Sequence, residues 1–115
     1  MTFHQEFWQA LEDLLLTSVL VIDRPKGTCH PRFPGLVYPV DYGYLKDTSS
    51  MDGEGIDVFI GSEEERLPDA ILCSVDLLKR DCEIKLLIGC TEWEKDTVMQ
   101  FQNQSSSCKA ILISK

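Results

Sequence analysis

Tyr38-Pro39-Val40-Asp41-Tyr42-Gly43-Tyr44, followed after a short loop by Asp52-Gly53-Glu54-Gly55-Ile56-Asp57-Val58, is the stretch on which the reading of the fold turns. Tyr38, Tyr42 and Tyr44 fall on alternate positions, so an extended backbone turns all three to one side. Such a face can present hydroxyls to a phosphate, and it can equally be ordinary sheet packing. In the second motif Gly53 and Gly55 let the backbone turn sharply, which sets Asp52 and Glu54 on a tight loop. Asp57 projects from the start of a strand-like run, residues 56–60, on the side opposite Ile56 and Val58. Carboxylates arriving from a loop and a strand suit a hard divalent cation, which takes oxygen ligands and keeps several waters. The same acids also read as a wet surface turn, and the twelve-residue spacing of an EF-hand is absent.

Outward from this centre the charges segregate. Residues 24–40 carry Arg24, Lys26 and Arg32 with no acid, whereas residues 47–69 carry eight acids against the single base Arg66. An anion-seeking loop thus stands beside a cation-seeking one, although two solvated surface loops would look the same. Farther on, Asp81, Glu83 and Lys85 alternate along a second strand-like run, so two carboxylates and an ammonium share a face. That face either completes a cation and anion site or is an exposed hairpin surface.

The flanking elements are read from their periodicity. Phe3, Phe7, Trp8, Leu11, Leu14 and Leu15 lie at helical spacing behind a Thr2/Gln5 capping box, predicting a helix of about four turns. Residues 19–22 have strand composition, and the four prolines and two glycines of residues 25–39 predict a loop with at most short extended pieces. Two apolar runs, 70–78 and 84–89, flank the charged turn Lys79-Arg80-Asp81 and predict a hairpin. Thr91 and Glu94 form a second capping box for a helix reaching about Gln102, and residues 110–113 make a last strand. His4 and His30 sit in no cluster of histidines and acids, and read as polar surface residues.

Composition bounds what this can be. The 115 residues suffice for one domain, 1–115, with an ordinary 43% hydrophobic and 26% charged content. A net charge of −8 argues against nucleic acid, whose binding requires phosphates to be neutralised. Five cysteines with no C-x-x-C pair argue against a zinc site or a disulfide framework. The longest mostly apolar stretch, residues 14–22, is interrupted by Thr17 and Ser18 and is too short to span a membrane. These features predict a reduced, cytoplasmic protein that binds neither nucleic acid nor membrane.

Taken together, the motifs resemble the soluble, family I inorganic pyrophosphatases. Y-P-V-D-Y-G-Y and then D-G-E-G-I-D-V follow the family's order Y-P-x-N-Y-G-Y/F and D-G-D-P-x-D-V. Val21-Ile22-Asp23-Arg24-Pro25 resembles the family's first V-x-E-I-P strand, and residues 78–85 resemble its later strand with two acids and a lysine, so the likeness spans about residues 19–89. The resemblance implies an α+β fold, a small closed β-barrel of OB type with flanking N-terminal and C-terminal helices. It implies Mg²⁺-dependent hydrolysis of pyrophosphate to two phosphates, with Mn²⁺ as a substitute metal, in a homo-oligomer. It also implies Asp52, Asp57, Asp81 and Glu83 as metal ligands and Glu54 as the group that takes the proton of the attacking water. Arg32, Tyr38, Tyr42 and Lys85 would hold substrate phosphate, with Asp23 and Lys26 as further candidates. The departures are Asp23 for the family's Glu, Glu54 for its Asp, Gly55 for its Pro, and Cys82 at an often acidic site. For the family's C-terminal Tyr-Lys pair this sequence offers Lys109. The alternatives are a phosphate- or diphosphate-binding module of weak catalytic power, a hydrolase of another diphosphate, and a structural domain that associates through its N-terminal helix.

Overall fold

The Thr2/Gln5 capping box forms as expected: the Gln5 amide donates to Thr2 Oγ1 at 3.2 Å and the Thr2 amide donates to Gln5 Oε1 at 2.8 Å. It starts α1 (Phe3–Leu16), whose Trp8 is buried and whose Leu11, Leu14 and Leu15 pack beside it. In this computed structural model, which describes residues 1–51 and 53–115, there follow β1 (Val19–Arg24), β2 (Asp41–Lys46), β3 (Ile56–Ile60), β4 (Pro68–Asp76), β5 (Asp81–Ile88), α2 (Glu92–Gln102) and β6 (Cys108–Ser114). The expected elements are thus all present within a few residues of their expected bounds. Within the proline-rich loop the extended structure is a single bridge between Cys29 and Val37. The hairpin turn is longer than the three charged residues, because Asp76 Oδ1 accepts the Leu78 and Lys79 amides at 3.0 Å and draws both leucines of the turn out of the strand. Arg80 closes that turn in the left-handed region, at φ 59°.

The strands form one six-stranded sheet in the order β1-β2-β3-β5-β4-β6, antiparallel except between β3 and β5. Alternation along each strand gives the sheet two faces. The outer face presents Leu45, Val58, Ile60, Ile71, Leu86 and Ile88 to Trp8 and the leucines of α1. The inner face presents Tyr42, Phe59, Leu72 and Leu87, covered by Val98, Met99 and Phe101 of α2 and by Tyr38 and Val40 of the preceding loop. Helix α2 is tied in at its start. Its buried Glu94 accepts the amide of Ser62 and the amide of its own N-cap, Thr91.

The closed barrel implied by the family resemblance is not formed. β1 and β6 are the two edges of the sheet, and no hydrogen-bonded ladder joins them. A barrel buries its interior by curling the sheet until the outer strands pair. Here α2 buries the apolar part of the inner face instead, so closure would gain little. Alternation within single strands is identical in an open sheet and a closed barrel, which is why the strands were legible and the closure was not.

Candidate functional site

The site begins with an irregularity. Along β1 and β2, Ile22 pairs with Gly43 but Arg24 pairs with Tyr42, so Asp23 is an extra residue, a β-bulge. Regular pairing would have set Asp23 opposite Tyr42; the bulge leaves Asp23 exposed and turns Arg24 to the inner face. Gly43 permits this, since a Cβ there would run into the backbone of Val21 and Ile22. The glycine in Tyr42-Gly43-Tyr44 therefore lets β1 approach closely enough to deliver Arg24.

On the inner face Arg24 Nη1 donates a hydrogen bond to the Tyr38 hydroxyl. The guanidinium carbon lies 5.6 Å from the ring centroids of both Tyr38 and Tyr42, which are themselves 5.0 Å apart. From the other side Lys85 Nζ donates to Tyr42 Oη at 2.9 Å and stands 5.2 Å from the centroid of that ring. Its ammonium is 3.8 Å from Asp57 Oδ2. The result is a chain of contacts, Arg24–Tyr38–Tyr42–Lys85–Asp57, assembled from β1, the loop before β2, and β2, β5 and β3. Both cations rest on aromatic faces, which holds their positions without cancelling their charge.

Burial, followed by the facing Asp57 carboxylate, pushes the Tyr42 phenol far above its ordinary range, so it stays protonated. Burial also raises Tyr38, partly offset by its bond from Arg24. Tyr38 accepts from Arg24 and keeps its own O–H to give to a further acceptor. Burial is the largest single influence on Arg24 and works against its charge, but the bond to Tyr38 together with the charges of Tyr38, Tyr42 and Asp23 outweighs it and strengthens its hold on its proton. Two cationic side chains and a hydroxyl donor thus stand against one carboxylate, an arrangement whose chemistry suits an anion.

Of the residues expected from sequence, the fold brings together Tyr38, Tyr42, Asp57 and Lys85. Glu83 shares their face two residues before Lys85, opposite Ser74, and Asp81 lies at the start of β5 opposite Asp76. Glu54 is exposed on the loop before β3, where its carbonyl accepts the Ser50 amide at 2.7 Å. Arg32 and Lys26 are exposed on the loop before β2, the latter giving its amide to Asp41 Oδ1 at 2.8 Å. Asp23 is turned out by the bulge, and Asp52 lies outside the described residues. Two neighbours of the cluster were not among the expected site residues. Arg24 is in sequence one base of an acid-free run and one residue of the strand-like stretch 21–25, and His30, whose sequence context suggests a surface residue, is half-buried and stacks on the Tyr38 ring at 6.2 Å with 13° between planes.

Among the described residues no group of three or more His, Cys, Asp or Glu side chains is placed to hold a metal ion. The acids Asp57 and Glu83 on one face form a sparse oxygen donor set. It fits Mg²⁺, which takes one or two protein carboxylates and fills its sphere with water and substrate oxygens, better than a metal needing a full protein cage. A groove of about 490 Å³ has a mostly apolar lining, with Cys73, Val75, Ile84 and Ile111 among it and Glu83 and Lys109 as its charged members, and suits a phosphate poorly. All five cysteines are free, and burial pushes the Cys90 thiol up to about 12, leaving it an unreactive core group. Among the described residues no helix is long and apolar enough to cross a membrane.

No family model matches the chain, and no curated protein matches it in sequence. In three dimensions it is similar to the crystal structure of an inorganic pyrophosphatase from Neisseria gonorrhoeae, with a TM-score of 0.66 and 15% identity, over 86% of this chain and 83% of that one. The chain therefore has a pyrophosphatase-like fold.

Proposed function

We propose that this protein hydrolyses inorganic pyrophosphate to two phosphates with Mg²⁺, or Mn²⁺ in its place. The observation that carries this reading is the Arg24–Tyr38–Tyr42–Lys85–Asp57 cluster, two fixed cations and a hydroxyl beside a carboxylate, on a fold shared with a pyrophosphatase. Pyrophosphate has no apolar part, so charge and hydrogen bonds must hold it. Arg24 and Lys85 offset its charge, Tyr38 gives its O–H to a phosphoryl oxygen, and Arg32 and Lys26, exposed on the loop before β2, add positive charge around it. Water attacks one phosphorus in line as the bridging P–O bond breaks and the second phosphate departs. Glu54 accepts the proton of that water, and Lys85 faces charge that grows on the departing group. Mg²⁺ held by Asp57 and Glu83, with Asp52 and Asp81 as further donors, would neutralise substrate charge and make water more acidic.

A second reading is favoured by one observation. Asp57 is ion-paired to Lys85 and, among the described residues, belongs to no group of three or more acids placed to hold a metal, as suits a phosphate-binding module without strong catalysis. Phosphate release from pyrophosphate, with and without Mg²⁺, separates the two. The hydrolase reading expects release that needs the metal, falls at least roughly a hundredfold in Glu54→Gln, a range set by the worth of general-base assistance, and shows both a raised KM and a lowered kcat in Lys85→Met. Pyrophosphate binding without release at any Mg²⁺ concentration overturns it in favour of the binding module.

A further inference from the structure

We propose that His30 contacts the bound phosphate anion as a neutral imidazole, donating a hydrogen bond from Nε2–H at the rim of the Arg24–Tyr38–Lys85 cluster. The inference rests on the pyrophosphate reading above and adds a substrate contact to it. The loop that carries His30 is held in place along its length. The Gly27 amide donates to Tyr38 O at 2.9 Å, the Tyr38 amide to Thr28 O at 3.0 Å, and the His30 amide to Leu36 O at 2.8 Å. The imidazole lies parallel to the Tyr38 ring and is flanked by Phe33 at 5.2 Å, so its plane is set by packing. Its tautomer is set as well. Nδ1 accepts the backbone N–H of Arg32 at 3.1 Å, which leaves the ring proton on Nε2.

A second proton would have to displace that Arg32 N–H. It would also join a strongly positive surrounding. Burial, then Arg24 of β1, Lys85 of β5, Arg32 of the same loop and Lys79 of the β4–β5 turn, all push the imidazole below its ordinary range. Among charged neighbours of one sign, an uncharged donor adds a directed hydrogen bond without adding repulsion. An anion seated between Arg24, Lys85 and the imidazole would relieve the same repulsion, so anion binding should make His30 easier to protonate.

The test pairs two variants with one spectroscopic readout. His30→Phe keeps the stack on Tyr38 and removes the donor; His30→Gln keeps an N–H near the position of Nε2 and gives up the aromatic ring. Calorimetry with inorganic pyrophosphate in chelator, and with inorganic phosphate, should show His30→Phe binding roughly ten- to a hundredfold more weakly, the worth of a hydrogen bond to a charged group. His30→Gln should stay within about threefold of the parent on the same scale. Both variants should unfold cooperatively, as thermal melting would check. In the parent, imidazole ¹⁵N shifts should report an Nε2–H tautomer whose resonance moves and whose pKa rises when phosphate is added. His30→Phe binding as tightly as the parent, or an imidazole indifferent to phosphate, overturns the contact. If the parent hydrolyses pyrophosphate and His30→Phe leaves KM unchanged, the contact fails and the hydrolase reading stands. If the parent binds pyrophosphate without hydrolysing it, the hydrolase reading fails and the variants still decide the contact. A parent that binds neither anion overturns both.

Discussion

The two faces of the sheet are built by alternate residues of the same strands and have opposite characters. Outward, Leu45, Val58, Ile71, Leu86 and Ile88 meet α1 in a wholly aliphatic layer around Trp8. Inward, the same strands supply Tyr42, Asp57, Phe59, Lys85 and Leu87, a surface that grades from an aromatic core under α2 to a cationic seat beyond it. A single residue step separates Lys85 from Leu86 and Asp57 from Val58. The outer face packs, the inner face carries the charged cluster, and only the strand pleat keeps the two characters apart.

That division is broken most severely on the outer face. Leu45 is fully buried, and Leu45→Ala should cost about 2–5 kcal/mol in urea unfolding, with phosphate affinity of the folded protein unchanged. A large loss of affinity in a variant that remains folded would mean that the faces are not independent.

Gly43 sits on the seam between them. Gly43→Ala drives a methyl group into the Val21 backbone and should cost about 1–3 kcal/mol or more, because backbone cannot step aside cheaply. Unlike Leu45→Ala, it should also weaken phosphate binding, since the β1 bulge that presents Arg24 lies next to it. Hydrogen exchange in β1 should rise selectively; uniform loosening of the whole sheet would contradict this account of the glycine.

Asp57→Asn sharpens the comparison from the inside. Its side chain is 27% exposed, so removing its ion pair with Lys85 should change stability by no more than about 1 kcal/mol. Phosphate binding in chelator should tighten, because the one acid in the cluster is gone, while Mg²⁺-dependent hydrolysis should collapse. Retained hydrolysis would remove Asp57 from the reaction and leave it a partner of Lys85.

The smallest effects are expected in the pH dependence. Burial works to raise the Glu94 carboxyl, but the Thr91 and Ser62 donors outweigh it and hold the group below its usual 4.5. A depressed carboxylate contributes its full stability above the unfolded value and loses it as pH falls through the lowered folded value. His30, also depressed, binds its proton first in the unfolded chain, so its loss begins earlier, as pH falls below 6.5. Chemical denaturation across this range should show two separate declines. Glu94→Gln should flatten the lower one and His30→Phe the upper one.

Much of the fold was legible residue by residue. Thr2/Gln5 and Thr91/Glu94 marked both helix starts, because a capping box is a contact between residues three apart. Residues 56–60 were read as a strand with Asp57 on the face opposite Val58, because alternation is a property of the strand alone. Tyr38, Tyr42, Asp57 and Lys85 could be named in advance because their motifs occur in a known order. Arg24 and His30 could not, since each reaches the cluster through pairing with a distant segment, β2 in one case and the Leu36–Tyr38 limb of its own loop in the other.

The amino-acid sequence by itself therefore determined the helices, the strands and which side of each strand is apolar, all of which follow from contacts a few residues apart. Tertiary structure alone decided that Arg24 rather than Asp23 faces Tyr42, that the sheet stays open between β1 and β6, and that His30 lies against Tyr38. The reason in each case is that one extra residue in a ladder, or one helix laid over a face, changes every contact beyond it. Nothing in the local pattern of either partner records that choice.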